Sequence, residues 1–300
     1  MTLPDLAELL ALRGTARSLN LHAGPQASRA LLLGSHHGAH RGRGLEFEEV
    51  RPYVPGDDSR SIDWRVTARR GRLHTKLFRE ERERPVWLLV DLQPGLYFAS
   101  RAQLKSAVAV RAAALLAWVS ATGGDRVGAV LANGAETLCL PPRGREAGVL
   151  PIINGLLALQ PRAPAQPVAQ TLLDALRLLI PLVHPGSLVL VLSDFAGLGD
   201  APDAAWSNLA AHAECRLFWI TDALEQQGLP PGRFRGGLPG RLWPLDGAAI
   251  RARWLGVWKQ RDARVRALGG AFNLPITRLD TGNPVEQSLQ QALQPGQFAA

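Results

Sequence analysis

The feature that most limits the fold is the run Val86–Asp91, VWLLVD, which is apolar until its closing carboxylate. A strand solvated on one face alternates apolar and polar residues, whereas a continuous run of this length belongs to a strand covered on both faces. Two further runs, Ser187–Ser193 and Arg216–Ile220, have the same character. Helical periodicity fills the intervals, over Ala102–Ala121, Arg145–Leu157, Val168–Leu182, Ala204–Ala213 and Ala249–Leu268. Asp125–Ala132 and Glu136–Leu140 flank Asn133-Gly134, a strong hairpin signal, and Pro275–Leu279 reads as a last strand. This alternation predicts an α/β fold: a doubly wound, mostly parallel sheet with helices on both faces and one antiparallel edge strand.

The chain before Arg84 reads differently. Asp5–Arg13 is a short amphipathic helix, and the stretch to His40, rich in Gly, His and Ala, has no period and is expected to be flexible. LEFEE from Leu45 and LHTKLF from Leu73 are extended, so a small β-rich segment precedes the main domain. The expected division is 1–40, 41–84 and 85–300. Cys139 and Cys215 each lie in an apolar, strand-like run, which predicts two buried free thiols and a reducing compartment. The most apolar windows are broken by Arg111 and by Asp174, Arg177 and His184, so no membrane span is expected and the location reads as cytoplasmic.

In a doubly wound sheet, ligands bind beyond the carboxyl ends of the strands where their order reverses. Asp91 and Asp194 close the two runs expected to flank that point. Facing carboxylates repel, and an oxygen-ligated ion such as Mg²⁺ would relieve them, with Thr171 as a third ligand. The alternative is that both Asp cap neighbouring loops or helices.

Two charged stretches admit more than one reading. In RPYVPGDDSRSIDW, from Arg51 to Trp64, Asp57, Asp58 and Asp63 are either ligands of a metal-dependent hydrolase or partners of Arg51, Arg60 and Arg65, with Trp64 as an apolar anchor. The acidic residues of FREERERP, Phe78–Pro85, would repel phosphate, so an ion-paired edge strand is expected there. SHHGAH at Ser35–His40 lacks zinc-ligand spacing, and the chain has no nucleophile elbow, phosphate loop or C-x-x-C pair. The formal charge of +8 is local, because Arg233–Arg266 holds nine Lys and Arg against two Asp. On a helix, Ile250, Trp254, Val257, Trp258, Val265 and Leu268 make a stripe expected to face the core, with Arg251, Lys259 and Arg264 off it. Those cations would dock an acidic protein surface or, alternatively, nucleic acid.

The string GRGLEFEEVRPYVPGDDSRSIDWRVTARR from Gly42, then EERER and the strand ending at Asp91, resembles the signature of the domain of unknown function 58 family. The matching positions include Arg51, Tyr53, Gly56, Asp57, Asp58, Arg60, Asp63, Trp64 and Arg69, with DRVG at Asp125, SDF at Ser193 and DALE at Asp222. The resemblance implies a von Willebrand factor A-like domain that works with a MoxR-type AAA+ ATPase as a chaperone or assembly module, with no established catalysis. Fold relatives bind a metal ion through D-x-S-x-S, a Thr and a second Asp. Here Asp91 keeps the first position, but Gln93 and Gly95 replace the serines, which leaves Asp91, Thr171 and Asp194 as a degenerate Mg²⁺ set. The leading expectation is a non-enzymatic adaptor.

Overall fold

The computed structural model describes residues 2–21, 45–54, 57–80, 84–168, 171–199, 203–238 and 240–293. The chain forms two units, Met1–Leu32 with Arg84–Ala300, and Leu33–Glu83.

In the larger unit, β3 (Pro85–Asp91) is central because its neighbours pair with it on both sides. It runs parallel to β4 (Arg126–Ala132) and to β6 (Leu188–Ser193), in a register that sets Val86 beside both Val127 and Leu188. With β5 (Thr137–Gly144), β7 (Glu214–Thr221) and β10 (Ile276–Asp280) the order is β10-β7-β6-β3-β4-β5, all parallel except the edge strand β5. The fold is therefore the expected doubly wound, mostly parallel α/β sheet with one antiparallel edge strand.

The two-residue period of a strand divides the core. Val86, Leu88 and Val90 point into one layer with Leu188, Leu190 and Leu192, while Trp87, Leu89, Val189 and Val191 point into the other. The first layer holds α1 (Leu6–Ala16), α3 (Lys105–Thr122), α4 (Glu146–Leu159) and α9 (Val285–Ala292); the second holds α5 (Thr171–Leu179), α6 (Ala204–His212) and the end of α8 (Gly247–Phe272). Of α3, only Arg111, Ala121 and Thr122 are not buried. Its alanines let the sheet and neighbouring helices approach closely, and the guanidinium of Arg111 is matched by Glu8 and donates to Gln103 Oε1 at 2.9 Å.

A hairpin of β8 (Arg233–Leu238) and β9 (Arg241–Asp246) departs from the expected order, as do α9 and the short α7 (Ala223–Gln227). Arg233, Arg235, Arg241 and Gly236-Gly237 hide the hairpin from a hydrophobic-period reading. It delivers the chain to α8, whose first amides at Ala248 and Ala249 are capped by Asp246. Gly247 starts the helix because a Cβ there would lie 2.0 Å from the Pro230 carbonyl oxygen and 2.9 Å from the Phe234 ring. Gly247→Ala should cost about 2 kcal/mol in urea unfolding, since backbone must move to admit the methyl.

Among the described residues no helix is long and apolar enough to cross a membrane. Both cysteines are free, but the expectation that both are buried is corrected: Cys215 is buried, while Cys139 is exposed because β5 is the sheet edge.

In the smaller unit, β1 (Leu45–Pro52) pairs antiparallel with β2 (His74–Glu80), and α2 (Trp64–Arg70) lies between them in sequence. Arg51 makes a two-pronged pair with Asp57, at 2.9 and 2.7 Å. Asp58 accepts from the Arg60 amide, and Asp63 caps α2 by accepting from the Arg65 and Val66 amides. Tyr53 joins the sheet end through its amide to the Leu73 carbonyl, and Arg60 and Arg69 are exposed. Trp64 is 67% exposed rather than packed as an apolar anchor among the described residues, which corrects the sequence expectation. Gly56, Ser35–His40 and most of Phe78–Pro85 lie outside the described residues or side chains.

Candidate functional site

The strand order reverses between β3 and β6, because the chain passes from β3 through β4 and β5 on one side and returns to β6 on the other. Asp91 and Asp194 lie at the carboxyl ends of these strands, both buried. Each supports its own loop. Asp91 Oδ2 accepts from the Ser193 hydroxyl at 2.7 Å and Oδ1 from the Gln93 amide at 3.1 Å; Asp194 Oδ1 accepts from the Ala196 amide at 3.0 Å. Phe195, between them, takes φ 52°, unusual for a non-glycine, and packs on Trp206.

Lys105, the first residue of α3, completes the group. A helical side chain tilts toward its own N-terminus, so this lysine reaches back over the strand ends although it is only 1% exposed. Its ammonium lies 2.6 Å from Asp194 Oδ2 and 3.0 Å from Glu225 Oε1. Arg261 of α8 donates to the same Glu225 oxygen at 3.0 Å. The result is a line of alternating charge, Asp194, Lys105, Glu225, Arg261.

Burial disfavours every charge in this line, and the neighbours decide the outcome. For Lys105, burial pulls the pKa down, but Asp194 and Glu225 outweigh it and hold the ammonium above its ordinary value. For Asp194, burial pushes up, yet Lys105, Arg261 and two hydrogen bonds leave it below the ordinary carboxylate range. Among the described residues Asp91 has no cation in hydrogen-bonding contact, and Lys105 acts on it only through its charge. Burial, then the charge of Asp194, raise it to about 7 against the Ser193 and Gln93 bonds.

Above this floor is a cleft of about 490 Å³ walled by Ile250, Trp254, Val257 and Trp258 of α8, with Phe98 and Pro167. The stripe expected to face the core is therefore buried at Val265 and Leu268 and packs on the core in part at Trp258, while Val257 is 54% exposed. Trp258 stacks on the buried Trp219 at 5.0 Å, which fixes α8 to β7. Of the three expected docking cations, Arg251 and Arg264 donate to the Leu229 and Leu198 carbonyls, and Lys259 is exposed. Arg253, exposed at the cleft, was not singled out from the sequence.

The degenerate metal set fits a divalent ion poorly. The Thr171 hydroxyl donates to the Val168 carbonyl at 3.2 Å, and the Gln93 amide oxygen turns back to accept from the Gly95 amide at 2.9 Å. A divalent ion within about 4 Å of the Lys105 ammonium would be repelled by about 8 kcal/mol at an effective dielectric of about 20. Sequence reasoning found the two Asp but missed Lys105, Glu225 and Arg261. The available signal was a lone lysine at the head of a helix with one other charged residue, Arg111.

Beside the floor, Asp222 is fully buried and gathers loops from three elements. It accepts from the Ser100 amide at 2.8 Å, the Leu224 amide at 2.8 Å and the Thr281 hydroxyl at 2.6 Å, and also from the Ser100 hydroxyl.

The chain is similar to "Uncharacterized protein Rv1480" of Mycobacterium tuberculosis and "Uncharacterized protein Mb1516" of Mycobacterium bovis. Each is 38% identical over 170 residues, 56% of this chain and 52% of the relative. The chain thus spans about half the length of the curated relatives it matches. It is also similar to the crystal structure of the conserved hypothetical protein BatB from Bacteroides thetaiotaomicron. That likeness has 14% identity and a TM-score of 0.42, over 69% of this chain and 96% of that one. The family described as "Protein of unknown function DUF58" matches residues 49–230, more than half of the chain, and the chain belongs to that family.

Proposed function

We propose that this protein is a non-enzymatic adaptor that holds an apolar and acidic segment of a partner in the cleft beneath α8. Its partner is a MoxR-type AAA+ ATPase or that ATPase's client, and the work is protein assembly or chaperoning in the cytoplasm. One observation carries the reading: the floor's Asp194, Lys105, Glu225 and Arg261 neutralise one another, while the walls leave Val257 and Arg253 facing outward. A general base or nucleophile needs a group held ready for substrate, and these are held for each other. An exposed apolar wall beside a cation suits a hydrophobic anchor followed by a carboxylate. No Mg²⁺ is needed for this capture.

Pull-down of the MoxR-type ATPase from the native host tests the proposal. Arg253→Glu with Val257→Asp should reduce capture at least about tenfold, the loss of one good anchor. EDTA should change nothing, and raised salt should weaken capture. Undiminished capture by the double variant rejects the cleft. Retention of nucleic acid on a filter at physiological salt would favour the basic-segment reading instead.

A further inference from the structure

We infer that the free edge of β10 is a docking strand, and that its partner is an extended, acidic segment of another protein that adds itself to the sheet beside Ile276 and Arg278. The groove that holds it shares no lining residue with the cleft beneath α8, so the inference stands whatever fills that cleft.

The two ends of the sheet are finished differently. β5 carries Pro141 and Pro142, which have no amide proton to offer, and its register with β4 is broken between Val127 and Ala129. Both features keep a further strand from pairing. β10 has neither, since its register with β7 is unbroken from Ile276 to Asp280 and it contains no proline. Its ladder also shows which backbone groups are taken. The Leu217 amide donates to the Pro275 carbonyl at 2.8 Å and the Thr281 amide to the Thr221 carbonyl at 3.0 Å, so the odd-numbered residues of β10 bond to β7. The alternate residues of such a strand turn their amides and carbonyls the other way. Those of Ile276 and Arg278 therefore face outward, and among the described residues they have no backbone partner there.

Beyond that edge lies a groove of about 680 Å³ rather than flat surface. α8 walls it on one side with Arg266 and Gly270, and α9 on the other with Ser288, Gln291 and Ala292. A Cβ on Gly270 would meet nothing within 4 Å, so this wall is low although no internal contact requires it to be. Two amides and two carbonyls in a walled slot call for a polypeptide in extended form, which offers the matching groups at strand spacing. The charge of the slot selects among such segments. Arg266 and Arg278 both pair with Asp262, so two guanidiniums share one carboxylate and the α8 side keeps a net positive charge. An acidic side chain on the incoming strand would complete the pairing. A second copy of this chain, paired antiparallel about Arg278, would instead set two guanidiniums face to face.

The test is amide hydrogen exchange, read by NMR on the full chain, with decapeptide probes that alternate Val with Glu or Val with Lys. In the protein alone the Ile276 and Arg278 amides should exchange at least about tenfold faster than those of Thr277 and Leu279, which are held by β7. The Val/Glu probe should slow both outward amides at least about tenfold, and the Val/Lys probe should bind more weakly. A Val/Glu probe N-methylated at every amide keeps the charge but cannot pair, and it should protect neither. Arg278→Pro removes one outward donor and leaves the β7 ladder intact, so it should cost at least about tenfold in affinity for the Val/Glu probe. Arg278→Gln, which keeps the amide, should cost less. Outward amides already protected in the protein alone would overturn the inference, because the edge would then be covered by this chain or by a second copy. So would equal binding of the N-methylated probe, or a folded Arg278→Pro variant that binds as the natural protein does. Should Arg278→Pro not fold, exchange in the natural protein decides alone. Both amides lie outside the cleft beneath α8, so the outcome is separate from capture of the ATPase.

Discussion

Replacing Asp91 with Asn should raise stability at pH 8 by about 4 kcal/mol and leave it unchanged near pH 4, with chelator present. The folded carboxyl titrates at about 7 against an ordinary 3.8, first because burial disfavours its charge and then because Asp194 is near. A value raised on folding means that the folded state binds the proton more tightly. The stabilisation is complete below about pH 4 and is lost as pH rises through about 7. Asparagine keeps the shape without the charge, so the difference between the two proteins should follow that window in urea unfolding. A constant difference across the range would show that Asp91 is ionised throughout. The result also bears on the crevice, because a carboxylate in contact with a cation would not titrate so high.

Asp222→Ala should cost about 3–5 kcal/mol, the largest loss expected from a single polar group here. Four donors converge on this carboxylate, from Ser100 before α3, Leu224 in α7 and Thr281 after β10. Alanine would leave the buried Thr281 hydroxyl without this acceptor and untie the half-buried Leu224 amide and the Ser100 loop from it. Burial raises its pKa, but the Ser100, Thr281 and amide bonds outweigh it and leave the group below the ordinary value, so its contribution runs opposite to that of Asp91. It is present above the unfolded value of 3.8 and lost as pH falls through the lower folded value. Asp222→Asn, which retains the acceptor on one side, should recover part of the loss. Equal unfolding midpoints for Asp222→Ala and the natural protein would reject this account.

How much of this was legible follows from which signals are local. The strands β3, β6 and β7 declare themselves because burial on both faces leaves no polar position, and Asn133-Gly134 marks the turn to β5. Strand order follows from these few elements, so Asp91 and Asp194 were placed at the reversal point. Cys139 was misplaced because TLCL reads as core unless one knows that β5 is an edge. The α8 stripe was read as core for a similar reason: helical period locates an apolar face, not what lies opposite it. Here the opposite side is a cleft. Lys105 was invisible because its meaning depends on contacts with Asp194 and Glu225, 89 and 120 residues away. The hairpin β8–β9 was hidden by its arginines, since charge excess was read in place of extension.

The position of α1 has a consequence for how the chain assembles as it is made. Leu9, Leu12 and Ala16 pack in the first core layer, Glu8 pairs with Arg111, and the Leu9 carbonyl accepts from Trp118 Nε1. Those partners lie 103 and 109 residues further along. At a synthesis rate of about 5–20 residues per second, α1 waits roughly 5–20 s after emerging before α3 exists to receive it. The contiguous 33–83 unit emerges in that interval with its own strand pairing complete. Vectorial synthesis therefore delivers α1 ahead of its partners and docks it late. Its apolar face is the surface a holdase would have to shield, and substitutions there should act on yield during expression more than on the unfolding midpoint of protein already folded.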